Sequence, residues 1–115
     1  MLSHVIDISL LAEVRGHFQT SFPPYAEIIE GDDHVFRCEV SDEDTVVFWL
    51  KNDRKLSIGN DKYIVEEDGV LRTLTLKKAT PEDSGEYACE TVDGRSRAEG
   101  GLVVKGKPFG VVRDL

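Results

Sequence analysis

An all-β sandwich of antiparallel strands is the fold class that this 115-residue chain predicts, and three observations carry it. From about residue 22 to residue 105 the chain reads as short alternating apolar and polar runs separated by Gly, Asn, Asp and Pro turns, with no helical period. Cys38, Trp49 and Cys89 fall in an order, and on strand faces, that would bring two sulfurs across facing sheets with an indole against them. Asp83, Gly85, Tyr87 and Cys89 alternate, so Tyr87 stands two residues before the second cysteine, where its hydroxyl can turn back to nearby backbone.

The elements follow in order. Residues 1–21 differ in character from the rest: Leu2, Ile6, Leu10, Val14 and Phe18 recur every fourth residue, so the segment reads either as a short amphipathic helix ending at Gly16 or as an extension whose last residues start the first strand. Pro23 and Pro24 break that strand in two and place it at a sheet edge. His34 to Val40 is a half-buried strand with Phe36, Cys38 and Val40 on one face. An acidic loop, 41–44, leads to a strand at 46–51 with Val47 and Trp49 inward, and Asn52 and Asp53 turn the chain. A short strand is expected at 62–66, a tight connection at 67–69, and a longer strand at 71–78 with Leu74 and Leu76 inward. Thr80, Pro81 and Asp83 then form a helix-start signal for a single turn. Strands at 85–92 and 97–105 close the domain through a turn at Asp93 and Gly94, with Leu102 and Val104 inward. The division is thus an N-terminal extension at 1–21, a domain at 22–105 and a linker at 106–115.

Composition bounds the function. A mass of 12.8 kDa leaves room for one core, and no run of about 18 apolar residues could span a bilayer. The 14 Lys and Arg against 22 Asp and Glu give a net charge of −8, a field that repels phosphate backbones, so neither nucleic acid nor membrane is expected as a partner. Two cysteines make either one bridge or two buried thiols. Residues 1–14 contain no Lys or Arg and are interrupted by Asp7 and Glu13, which is unlike a secretory leader. Neither Asn52 nor Asn60 begins an Asn-X-Ser/Thr acceptor. Both points lean towards the cytosol.

Five phrases then carry a family resemblance: Glu30, Gly31 and Asp32; residues 36–40 around Cys38; residues 48–52 around Trp49; Leu74, Thr75 and Leu76; and residues 81–89, which contain Asp83, Gly85, Tyr87 and Cys89. They resemble the immunoglobulin superfamily, and within it the intermediate or I set found in tandem in titin, obscurin, myomesin and myosin-binding protein C. The 40 positions from Trp49 to Cys89 suit that set, being too few for the extra strand of variable-type domains. One departure is that Gly31 follows Pro24 closely, which suggests a first strand beginning near Phe18.

The resemblance implies an immunoglobulin-like Greek-key sandwich whose core rests on Cys38, Trp49, Tyr87, Cys89, Leu74 and Leu76. It implies a non-catalytic spacer and docking unit in an intracellular muscle or cytoskeletal protein, with sarcomeric or cytoskeletal proteins as partners, reduced thiols and no cofactor. The alternative is an extracellular adhesion or receptor domain with a Cys38–Cys89 disulfide, which would stabilise by about 4 kcal/mol in the chain-entropy model. A third reading makes residues 1–21 a calmodulin-type regulatory segment carried on the immunoglobulin module, although in the motif that begins at Leu10, Leu11 and Thr20 stand where that pattern has Gln and a basic residue.

Catalytic chemistry finds no constellation. His4, His17 and His34 are scattered without metal-ligand spacing or a nucleophile, so neither a metal nor a small-molecule substrate is expected. The acidic stretches 42–44 and 66–68 lack the glycine-containing loop of an EF-hand and read as solvated. If Val47 and Trp49 point inward, Phe48 and Leu50 point out, with Ala88 and Val103 on neighbouring strands, which makes an outer apolar stripe a candidate partner-binding face.

Overall fold

The computed structural model describes residues 16–107. Its strands are β1 (Phe18–Thr20), β2 (Tyr25–Ile29), β3 (His34–Val40), β4 (Val47–Lys51), β5 (Arg54–Lys55), β6 (Tyr63–Asp68), β7 (Leu71–Leu76), β8 (Gly85–Thr91) and β9 (Arg97–Lys105), with a single 3-10 turn at Pro81–Asp83. They form two facing sheets, ordered β1-β3-β7-β6 and β2-β9-β8-β4-β5. Every pairing is antiparallel except β2 with β9, which run parallel from Tyr25 opposite Gly101 to Ile29 opposite Lys105. Two facing sheets in this order make the immunoglobulin-like sandwich that the resemblance implies. Residues 1–15 and 108–115, and with them most of the four-residue apolar spacing, most of the calmodulin-type segment and most of the linker, lie outside the described residues.

The prolines set the entry. Pro23 has no N–H to donate, so the chain leaves the β3 edge of one sheet after β1 and joins β9 of the other as β2. It crosses over Gly100, an inward position of β9 at which any Cβ would overlap the Pro23 carbonyl oxygen. Phe22, just before the crossing, closes the gap between the sheets: it is 5% exposed, with its ring 5.2 Å from Phe36 and 5.9 Å from Trp49. β1 itself falls within residues 1–21, near the Phe18 start that the close Pro24–Gly31 spacing suggests.

Strand ends are set by backbone sign. Asn52 and Asp53 have φ of 51° and 67°, the left-handed pair that a two-residue hairpin needs to match strand twist. β7 stops at Leu76, two residues short of the expected end, because Lys78 has φ of 49° and its N–H goes to the Asp33 carboxylate at 2.8 Å. β6 runs on to Asp68 through residues expected to turn, since an edge strand tolerates exposed acidic side chains and its turn comes one step later at Gly69.

Candidate interaction surface and the core behind it

All six residues expected in the core are buried: Cys38, Leu74, Leu76, Tyr87 and Cys89 at 0% exposure and Trp49 at 3%. Trp49 sits opposite Cys89 in the β4–β8 register, and all six share one apolar cluster with Phe22, Phe36 and Leu102. Four rings run through it in sequence, Trp49 to Phe22 to Phe36 to Tyr87, the last pair stacked at 4.7 Å. Each fully buried large side chain contributes about 2 kcal/mol by area. Both cysteines carry free thiols. Cys38 beside it, together with burial, pushes the Cys89 thiol far above its ordinary value, so it stays protonated and is a packing group rather than a nucleophile.

Tyr87 closes one end of this core. Its hydroxyl donates to the Asp83 carbonyl at 2.6 Å, and burial, with the Tyr63 hydroxyl nearby, keeps the phenol protonated. The turn that offers the carbonyl is held by its own side chain: the Thr80 N–H donates to the Asp83 carboxylate at 2.7 Å, and the Asp83 N–H to the Thr80 carbonyl at 2.8 Å. Burial works to raise the Asp83 pKa, but the Lys62 ammonium at 2.7 Å and the Thr80 donors outweigh it and hold the carboxyl below its ordinary value.

Arg72 closes the other end, and nothing in the sequence reading singled it out. It follows Leu76 and Leu74 along the inward face of β7 and is 1% exposed. Its guanidinium donates to four carbonyls: Gly69 at 2.7 Å and Leu71 at 3.0 Å in the β6–β7 turn, Glu43 at 2.9 Å and Thr45 at 3.0 Å in the β3–β4 loop. Nε faces the Glu67 carboxylate at 3.6 Å, an ion-pair rather than a hydrogen-bond distance. Five donors in a rigid fork suit this task, and an ammonium would not. The only trace in the sequence is an arginine in line with the inward Leu74 and Leu76 of the same strand.

The outer face of the five-stranded sheet corrects the expected stripe. Phe48 is half-buried under the Lys55 ammonium, 4.6 Å from the ring centroid. Leu50 and Ala88, directly opposite one another, are 7% and 2% exposed and so are closed to solvent. The β8–β9 register places Glu99, not Val103, across from Ala88, with Val103 four residues further along β9. Arg97 bridges the strands of this face: its guanidinium meets Asp53 at 2.6 Å, Glu99 at 2.9 Å and Glu90 at 3.8 Å, tying β9 to β8 and to the β4–β5 turn. The face is therefore a charged lattice over a narrow apolar floor. Among the described residues no three His, Cys, Asp or Glu side chains converge on a metal-sized site, and no helix is long and apolar enough to cross a membrane.

Comparison with known proteins agrees with this architecture. A model of the immunoglobulin I-set domain matches residues 17–104. A titin homologue of Caenorhabditis elegans is 47% identical over 94 residues, 82% of this chain and, to the nearest per cent, 0% of that protein. Human cardiac-type myosin-binding protein C is 33% identical over 98 residues, 85% of this chain and 8% of that protein. The chain therefore spans under a tenth of the length of either relative. Among solved structures, domain I10 of titin superposes with a TM-score of 0.71 at 26% identity, covering 78% of this chain and 98% of that one. An immunoglobulin-like domain of human obscurin-like protein 1 gives 0.72 at 26% identity, with 81% and 88% coverage. On the family match, the two relatives and the buried Cys38–Trp49–Cys89 core, the chain belongs to the immunoglobulin I-set family.

Proposed function

We propose that this domain is a non-catalytic spacer and docking unit of an intracellular multidomain muscle or cytoskeletal protein, bearing tension along the chain and meeting other proteins at its surface. The observation that carries the reading is the parallel pairing of β2 and β9. The ladder is bounded by the Gly101 N–H to the Pro24 carbonyl at 2.9 Å and by the Glu30 N–H to the Lys105 carbonyl at 2.7 Å. Pulling the two chain ends apart drags these strands in opposite directions along a shared axis, so the hydrogen bonds load together rather than one after another. A Lys105–Glu27 ion pair at 2.9 Å ties the same two strands on the solvent side. Kinship with a titin homologue and with myosin-binding protein C supports the sarcomere as the address, and the acidic field supports proteins over nucleic acids as partners.

Single-molecule stretching tests the mechanical part. In the alternation of a parallel ladder, Ile28 is one of the β2 residues whose N–H faces β9, so Ile28→Pro deletes a bond from the loaded set. The expected result is a rupture force clearly below that of the wild type in the same polyprotein. Equal rupture forces for a folded Ile28→Pro variant and the wild type would remove the proposal.

A further inference from the structure

Among the described residues five are serines, and three of their hydroxyls are engaged within the fold. Ser41 Oγ accepts the His17 N–H at 3.0 Å, Ser96 Oγ the Phe18 N–H at 3.0 Å and Ser84 Oγ the Val104 N–H at 2.9 Å. Ser21 and Ser57 are exposed, and neither hydroxyl meets another described group. Their surroundings differ. No charged residue lies within three positions of Ser21, whereas Arg54 and Lys55 stand three and two positions before Ser57, and Ile58, 48% exposed, follows it.

The fold presents this stretch to solvent. β5 is Arg54 and Lys55 alone, the outermost strand of its sheet, paired with β4 through Leu50 opposite Lys55 and Lys51 opposite Arg54. Both side chains are exposed: the Arg54 guanidinium has no carboxylate partner among the described residues, and the Lys55 ammonium lies over the Phe48 ring. Leu56 is the last anchor, its N–H donating to the Trp49 carbonyl at 3.0 Å and its side chain packing on the core. Residues 56–62 then form neither helix nor strand, and 57–61 are exposed throughout. A Cβ at Gly59 would meet nothing within 4 Å, so the loop stands clear of the sandwich there. An edge strand of two residues with an exposed loop beyond it can open locally while both sheets stay intact.

We propose that Ser57 is a phosphorylation site for a basophilic serine kinase, one whose substrate groove offers carboxylates to Arg54 and Lys55 and an apolar seat to Ile58. Charge carries the choice of enzyme. In a chain of net charge −8, two adjacent exposed cations give this edge a sign that suits an acidic groove and opposes the basic groove of a kinase that selects acidic substrates. The reaction transfers the γ-phosphoryl group of ATP. A bond forms from Ser57 Oγ to the γ-phosphorus, the bond from that phosphorus to the bridging oxygen breaks, ADP leaves, and the hydroxyl proton passes to the catalytic aspartate of the kinase. The product carries a charge of about −1.5 to −2 two positions from Lys55, which offsets the Arg54–Lys55 pair. The need for ATP makes the proposal rest on the intracellular address given above, while purified components test the site apart from the address.

The test incubates the folded 115-residue chain with Mg²⁺, ATP and the catalytic subunit of cyclic-AMP-dependent protein kinase as the basophilic probe. Intact mass reads the phosphate gained, and fragmentation reads its position. One phosphate is expected, on Ser57, and Ser57→Ala should abolish it. Arg54→Ala should slow the initial rate about tenfold through loss of one charge contact. Both substituted residues are exposed, and urea midpoints equal to that of the wild type show that the variants fold. The absence of phosphate from the folded wild type would overturn the proposal. So would incorporation that survives Ser57→Ala, a rate indifferent to Arg54→Ala, or phosphate that reaches Ser57 only in urea, where the fold no longer withholds it.

Discussion

The two ends of the core are closed by opposite means. At one end Tyr87, Asp83 and Thr80 lie within eight positions of the sequence and exchange short hydrogen bonds around a single turn. At the other end Arg72 collects carbonyls from two loops, reaching 29 positions back to Glu43. The first device is local, so spacing reveals it. The second is tertiary: whether an arginine inside a strand is buried depends on which loops fold over it. Both solve one problem, the unpaired backbone groups left where strands turn between two sheets.

The largest expected effect comes from breaking the tertiary end. Arg72→Met fills a similar volume but removes the guanidinium donors from four carbonyls, the buried Thr45 carbonyl and three part-buried ones, and an orphaned group costs about 1–3 kcal/mol where buried and less where water reaches it. The expected loss is about 4 kcal/mol, a large share of the stability of a small domain. Urea unfolding should show a lower midpoint with an unchanged slope. Arg72→Lys should recover little of it, because an ammonium cannot span both loops. A loss below about 1 kcal/mol would mean that the two loops hold together without the arginine.

The local end should break less severely. Tyr87→Phe keeps the ring and its stacking on Phe36, removes one hydroxyl and leaves the Asp83 carbonyl short of a donor. The same urea titration should register about 2 kcal/mol, around half the Arg72→Met effect. If the two substitutions cost the same, the asymmetry between one hydrogen bond and four is only apparent.

This contrast also explains what the sequence made legible. The β3 and β9 boundaries follow from alternation alone, and the Asn52–Asp53 hairpin follows from turn chemistry. The inward positions of Trp49, Leu74 and Leu76 follow from the period-two rule. Register between strands is different. Which β9 residue faces Ala88 depends on how the 92–96 loop closes, and a shift of four residues separates Val103 from the Glu99 found there. The outward direction of Leu50 and Ala88 was readable, whereas their burial was not, because the charged network around them joins Arg97 of β9 to Asp53 of the β4–β5 turn, 44 positions away. Phe22 escaped notice for a related reason: it belongs to no strand and becomes a core residue only through the crossing at Pro23.

The smallest effect sharpens the local end. Lys62 meets the Asp83 carboxylate at 2.7 Å from a side chain 34% exposed, so screening limits the pair to about 0.5 kcal/mol at neutral pH. Its value lies in its pH dependence. Asp83 is held below its ordinary pKa in the fold, so its contribution is present above the unfolded carboxyl value and is lost as pH falls through the lower folded value. Lys62→Met removes one cause of that depression and moves the folded pKa back towards the unfolded one. The variant should therefore be slightly less stable than the wild type at pH 7, and the two stability curves should converge as pH falls from about 4 towards 2. A gap that persists unchanged to pH 2 would assign the effect of Lys62 to its 3.2 Å hydrogen bond with the Lys78 carbonyl instead, a contact blind to carboxyl titration.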